Sequence, residues 1–173
     1  KGMDLVLDAL PALLDRPLTL AVLGRGEPAL EQAFARAATA HPRRIAALLR
    51  FDDPLAHRLY AGGDFFLMPS RFEPCGLGQM IAQRYGTPPI VRHTGGLVDT
   101  VQDGETGFAF HAPTPEALTA AVRRATAEWH GPRWDELRRR CMALDRSWDQ
   151  PAARYEHVYR LAIQDTAARP VLP

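Results

Sequence analysis

Short apolar segments alternating with amphipathic helical ones predict an α/β domain built on a parallel sheet covered on both faces. Three observations carry that expectation. Five apolar segments have strand length. Helix-period patterns stand between and around them. Glycine, proline or aspartate marks the junctions from strand to helix. The 173 residues suit one domain. A hydrophobic share of 46% supplies a sizeable core.

The elements follow in order. Lys1-Gly2-Met3-Asp4 runs directly into a helix whose Met3, Val6, Leu7, Leu10, Leu13 and Leu14 share one face. A chain that opens on the doorstep of a helix, with no initiator methionine, reads as cut from something longer. Leu18 to Leu23, between Pro17 and Gly24, predicts the first strand. Leu30, Ala33, Phe34 and Ala37 predict a second helix, Ile45 to Phe51 a second strand, and Leu55 to Ala61 a short helix. Asp64 to Pro69 is the third strand. Leu77 to Tyr85 is helical, with Gly86 as terminator. Pro89 to Val91 and Gly107 to Phe110 are the last strands. Thr114-Pro115-Glu116 supplies an N-cap, a first-turn proline and a first-turn acid to a helix carrying Leu118, Ala121, Val122, Ala125 and Trp129 on one face. Trp134, Leu137, Cys141 and Leu144 mark another helix. A last one from about Asp149 aligns Tyr155, Val158, Tyr159 and Ala162, before a frayed Ala-Arg-Pro-Val-Leu-Pro ending.

Composition excludes several classes. Lysine plus arginine number 21 and aspartate plus glutamate 20, a net charge of +1. That argues against a nucleic-acid partner and against a charged disordered tail. Two cysteines, Cys75 and Cys141, make no disulfide framework and fit a reducing, cytoplasmic setting. No apolar run approaches the ~18 residues of a membrane span, so no membrane partner is expected. No signal-peptide pattern opens the chain. The six histidines are scattered without ligand spacing, so no metal is expected.

In a parallel sheet, ligands bind where the strands end. Four loops lie there. Gly24-Arg25-Gly26-Glu27-Pro28-Ala29 matches G-x-G-x-x-A, which reads either as a dinucleotide fingerprint or as a tight turn into a helix. In Phe51-Asp52-Asp53-Pro54, an aspartate either meets a ribose or caps the next helix, and Phe51 either joins the core or faces a flat base. The densest loop is 68–78, with Glu73 ahead of a helix start that favours an anion. The amides of Gly76, Leu77 and Gly78 suit phosphate or sugar oxygens. Cys75 reads as a nucleophile or, with no histidine near it in sequence, as a small buried residue. His93-Thr94-Gly95-Gly96-Leu97 is either a close approach to a ligand or a turn capped by Thr94.

Read together, P-S-R-F-E-P-C-G-L at 69–77, Y-G-T-P-P-I-V-R-H-T-G-G-L-V-D-T-V at 85–101 and D-G-E-T-G-F at 103–108 closely resemble bacterial glycogen synthase and plant starch synthase. K-G-M-D-L-V-L-D-A-L at the start, L-G-R-G-E-P-A-L-E at 23–31 and S-W-D at 147–149 are similar to further segments of that family. The likeness spans nearly the whole chain. It implies a three-layer Rossmann-like domain over 1–173, the C-terminal half of a GT-B fold, with the 149–167 helix packing against an N-terminal domain outside this sequence. It implies retaining transfer of glucose from ADP-glucose to the non-reducing end of an α-1,4-glucan. No cofactor beyond the donor is implied, and the glucan acceptor would be held through the N-terminal domain. The chain alone is expected to be inactive.

Residue by residue, Lys1 matches the lysine that neutralises the leaving diphosphate, and Glu73 the glutamate beside the glucosyl ring. Cys75 and Gly76 would offer backbone contacts to the sugar, Leu77 and Gly78 amides to the distal phosphate, and Phe51 a stacking face for adenine. Gly24, Thr94 and Gly95 complete the nucleotide-sugar set. There are departures. Gly78 stands where some members carry threonine. Ile81 stands where related retaining transferases carry a second glutamate. With half the cleft outside the chain, Glu73 and Lys1 are expected to stand in water. Two other functions compete. One is an oxidoreductase-type dinucleotide domain resting on Gly24, Gly26 and Ala29. The other is a non-catalytic module that docks partners through its final helix, favoured if Glu73 is buried out of reach of the cleft. The choice between ADP-glucose and UDP-glucose depends on loop geometry.

Overall fold

The structure, a computed structural model, describes residues 1–168, so the expected frayed stretch at 169–173 lies outside the described residues. The order is α1 (Met3–Leu14), β1 (Leu20–Leu23), α2 (Pro28–Ala40), β2 (Ile45–Leu48), α3 (Asp53–Gly62), β3 (Phe66–Met68), α4 (Gly78–Arg84), β4 (Pro89–Arg92), α5 (Leu97–Thr100), β5 (Phe108–Phe110), α6 (Pro115–Glu128), α7 (Trp134–Ala143) and α8 (Asp149–Ala168). Every strand pairing is parallel, as strands joined by helical crossovers require.

The ladder comes in two pieces rather than one continuous sheet: β1–β2, with Leu20 opposite Ile45, and β3–β4–β5, with Phe66 opposite Pro89 and Ile90 opposite Phe108. Both outer strands of the first piece are shorter than expected. Arg44 donates to the carbonyls of Leu14, Arg16 and Leu18, which holds the approach to β1 in a turn. The Arg50 amide turns back onto Leu48 O at 2.9 Å and its guanidinium pairs with Asp52, which ends β2 before Phe51.

The three layers follow from side-chain alternation in β4 and β5. Ile90, Phe108 and Phe110 point into one cluster with α1, α6 and α7, while Val91 and Ala109 join Leu97 and Val101 on the other face. Coverage of both faces fails at β1–β2, where Ala21 and Ala46 are exposed.

The helices largely obey their patterns. In α1 the buried set is Leu5, Val6, Ala9, Leu10 and Leu13, a face rotated slightly from the expected one, with Leu7 and Leu14 only half-buried. It packs on the Leu118, Ala121, Val122 and Ala125 stripe of α6. The Thr114 hydroxyl caps α6 by accepting from Ala117 N at 3.3 Å. Trp129 leaves the expected stripe: the helix stops at Glu128, and the extended backbone of Trp129 swings the indole out to donate to Asp64 at 2.9 Å. In α8, Tyr155, Val158 and Tyr159 are exposed. Among the described residues, no helix is long and apolar enough to cross a membrane.

Candidate functional site

Within each piece the strands run in parallel, so the loops after β1 and β2 share one edge of the first piece and those after β3 and β4 one edge of the second. The loops after β3 and β4 are fused there. A Cβ on Gly96 would lie 2.7 Å from the Cα and O of Cys75 and 2.8 Å from Pro74 O, and one on Gly95 would strike the Glu73 carbonyl. The glycine pair is therefore present so that this loop can lie against the backbone of 73–75. Gly96 N seals the contact by donating to Glu73 O at 3.0 Å. Thr94 is half-buried and its carbonyl accepts from Leu97 N, but no side chain caps α5.

A second clamp comes from the first residues. Gly2 sits on the Pro69 backbone, closer than any Cβ allows. Arg71 grips Asp4 at 2.6 Å, a hydrogen bond that holds the Asp4 carboxyl below the usual range. Next to them Lys1 Nζ donates to Glu73 Oε2 at 2.5 Å, across 72 positions of sequence. Ser70, also buried, donates to the same oxygen at 3.3 Å.

Glu73 is thus not in water. Its side chain is 6% exposed, while that of Lys1 is 67% exposed. The loop of Gly95 and Gly96 lies against the Glu73 backbone, and the residues around Gly2 bring Lys1 onto its carboxylate, which together bury it. The carboxylate is buried, yet its partner is an exposed side chain, so the pair reaches the surface at the strand-end edge.

Cys75 is exposed, against the expectation of a small buried residue. Its backbone, rather than its thiol, is what packs on Gly96. Among the described residues, nothing accepts a hydrogen bond from the amides of Gly76, Leu77 and Gly78. Gly78 has a packing reason: a Cβ there would lie 2.9 Å from the Phe66 ring and 3.3 Å from the Tyr60 hydroxyl. Ile81 is half-buried in α4.

The loops after β1 and β2 are more open. Phe51 is 87% exposed, so its ring is available rather than in the core. Asp52 caps α3, accepting from Leu55 N at 3.1 Å. That bond, with the Arg50 pair, holds its carboxyl below the usual range. Gly24 N is already spent on Leu48 O at 3.1 Å, and Gly26 N on Glu31 Oε1 at 2.9 Å. Two amides that a dinucleotide phosphate would use are therefore engaged.

Sequence reasoning missed Gln79, Arg92 and Ser70. Gln79 is fully buried in α4 and Arg92 Nη1 donates to Ser70 O at 3.1 Å and to Arg71 O at 2.5 Å. A glutamine among the apolar positions of a buried helix was the available signal. Among the described residues, no group of three or more His, Cys, Asp or Glu side chains converges.

Residues 1–128 match the family described as glycosyl transferases group 1. The chain is 57% identical over 166 residues to a glycogen synthase of Anaeromyxobacter dehalogenans, covering 92% of this chain and 35% of that protein. It is 54% identical over 178 residues to a glycogen synthase of Aromatoleum aromaticum, covering 97% of this chain and 36% of that protein. The chain thus spans about a third of the length of the curated relatives it matches. Among solved structures, the catalytic domain of starch synthase IV from Arabidopsis thaliana, bound to ADP and acarbose, superposes with a TM-score of 0.86 at 32% identity, covering 95% of this chain and 36% of that one. A sucrose-phosphate synthase from Thermosynechococcus elongatus superposes at 0.70 with 25% identity, covering 95% of this chain and 43% of that one.

Proposed function

Because the chain belongs to the glycosyl transferases of group 1, we propose that it is the donor-binding lobe of a glycogen or starch synthase. The reaction is retaining transfer of glucose from ADP-glucose to the non-reducing end of an α-1,4-glucan, in the cytoplasm, with no cofactor beyond the donor. The observation that carries this reading is the Lys1–Glu73 pair at the strand-end edge, beside amides left unpaired at 76–78.

The chemistry follows from those groups. Charge grows on the diphosphate as the glycosidic bond breaks, and the exposed Lys1 ammonium is placed to meet it. The amides of Leu77 and Gly78 hold the distal phosphate, and the backbone of Cys75 and Gly76 the sugar. Glu73 holds sugar hydroxyls and supports positive character at the anomeric carbon without attacking it. Phe51 offers its open face to adenine. ADP is favoured as the nucleotide because the starch synthase of similar fold was solved with ADP. Thr94 and Gly95 stand in the loop against 73–75 and contribute to the sugar side of the site, while the Gly24 amide is engaged by Leu48 O. The acceptor glucan is held by the remaining length of the enzyme, against which the exposed Trp148, Tyr155 and Tyr159 around α8 would pack.

A docking module without catalysis would suit a Glu73 sealed beneath the surface; Glu73 is buried, but the ion pair connects it to the edge. Titration calorimetry tests the reading. ADP should bind with a dissociation constant on the order of 0.1–1 mM, worth ~4–6 kcal/mol, and NAD should give no heat. A folded chain that is silent to millimolar ADP overturns the assignment.

A further inference from the structure

The geometry points to Gln79 as the positioning residue of the donor-binding backbone, a role that rests on the reading just given. Gln79 is the second residue of α4 and is fully buried. Its Nε2 donates to Cys75 O at 3.2 Å, Gly76 O at 3.0 Å and Thr100 Oγ1 at 3.0 Å. Thr100 Oγ1 donates onward to Gly96 O at 2.8 Å, and Gly96 N to Glu73 O at 3.0 Å. These bonds close a ring around 73–76.

Peptide units are planar and trans, so a carbonyl turned one way turns the following N–H the opposite way. Drawing the Cys75 and Gly76 carbonyls inward onto Gln79 therefore aims the Gly76 and Leu77 amides outward. Gln79 Oε1 has no partner although it is buried. Burying an unpaired acceptor is unfavourable, and an apolar side chain would fill the space without it. The residue is thus placed for its N–H donors. Gly76 complements it, since a Cβ there would come within 2.5 Å of Oε1.

The test is Gln79→Glu, titrated with ADP at pH 5.5 and 8.5 beside the wild-type chain, with circular dichroism confirming the fold. A buried carboxyl is protonated at the lower pH and keeps an O–H donor; ionised, it only accepts and faces two carbonyls. The variant should bind ADP within about threefold of wild type at pH 5.5 and roughly tenfold or more weakly at pH 8.5. A variant-to-wild-type ratio flat across pH, with both chains folded, overturns the role. Should the variant unfold at pH 8.5, Thr100→Val replaces it: a loss of about threefold or more in ADP affinity supports the role, and unchanged affinity overturns it. A wild-type chain that takes no ADP overturns the parent reading, and this one with it.

Discussion

Three glycine-to-alanine changes separate two constraints on the loop that covers Glu73. Gly104 has φ 78° and open space around it, so Gly104→Ala meets only the backbone cost of a left-handed conformation. That cost is about 1–2 kcal/mol, offset by roughly 0.4–1 kcal/mol from a less flexible unfolded chain. Gly96 has an ordinary helical conformation, φ −65°, but a Cβ would lie 2.7 Å from the Cys75 backbone. Gly96→Ala therefore meets only steric conflict, about 1–3 kcal/mol, since backbone cannot step aside as a flexible side chain does. Gly95 combines φ 51° with the approach to Glu73 O. Gly95→Ala should cost about 2–4 kcal/mol, close to the sum of the two separate effects. At ~2–4 °C per kcal/mol for a chain of this size, the melting point should fall by roughly 5–15 °C. Thermal and urea denaturation of the three variants give the comparison. If Gly95→Ala is no more destabilising than Gly104→Ala, the loop is not held against Glu73 and the account of its burial fails.

The remaining expectations are these. Cys75 is exposed and Cys141 buried, with burial pushing the Cys141 thiol up to about 12, so a thiol reagent at pH 8 should label one cysteine in the native chain and both after denaturation. Fast labelling of both in the native chain would refute the packing of α7. Burial pushes the Asp103 carboxyl up, but hydrogen bonds from Arg124 and Ala109 N outweigh it and leave it below its ordinary value of 3.8. The folded chain then binds that proton less readily than the unfolded one. The contribution is full above about pH 5 and is lost as the pH falls through the folded value. In urea titrations the stability gap between wild type and Asp103→Asn should stay constant above that pH and narrow below it; a gap that widens in acid would reverse the sign. In an enzyme carrying this lobe together with the rest of a relative's length, Glu73→Ala should cut turnover at least a hundredfold while changing ADP affinity by less than about threefold. Equal losses would make Glu73 a brace for its loop.

What was legible in the sequence was local. Thr114 announced the start of α6 through a cap that needs only the next three residues, and the apolar spacing of α1 and α6 announced the faces that meet. The strand-end loops were legible too, because glycine and proline mark them regardless of what packs nearby. The burial of Glu73 was not, since it depends on Gly95, Gly96 and Lys1, all remote in sequence. Cys75 misled for the same reason: a small apolar residue reads as core, yet here the backbone is covered and the thiol is left outside. Trp129 fitted the α6 stripe by spacing, but spacing does not say where a helix stops. The half-open β1–β2 pair was hidden because alanine is compatible with either side of a sheet.

The pairing of Lys1 with Glu73 also has a consequence for the order of folding. The two residues are 72 positions apart, and α1, β1, α2, β2, α3 and β3 all lie between them. Contacts of such long range form after local ones, because the intervening chain must first be organised. The helices, held by bonds between residues three or four apart, should therefore register in far-UV circular dichroism before the ion pair exists. Competence to bind a ligand at this edge then trails the circular dichroism signal in a refolding experiment, so that a helical chain is not yet a working one.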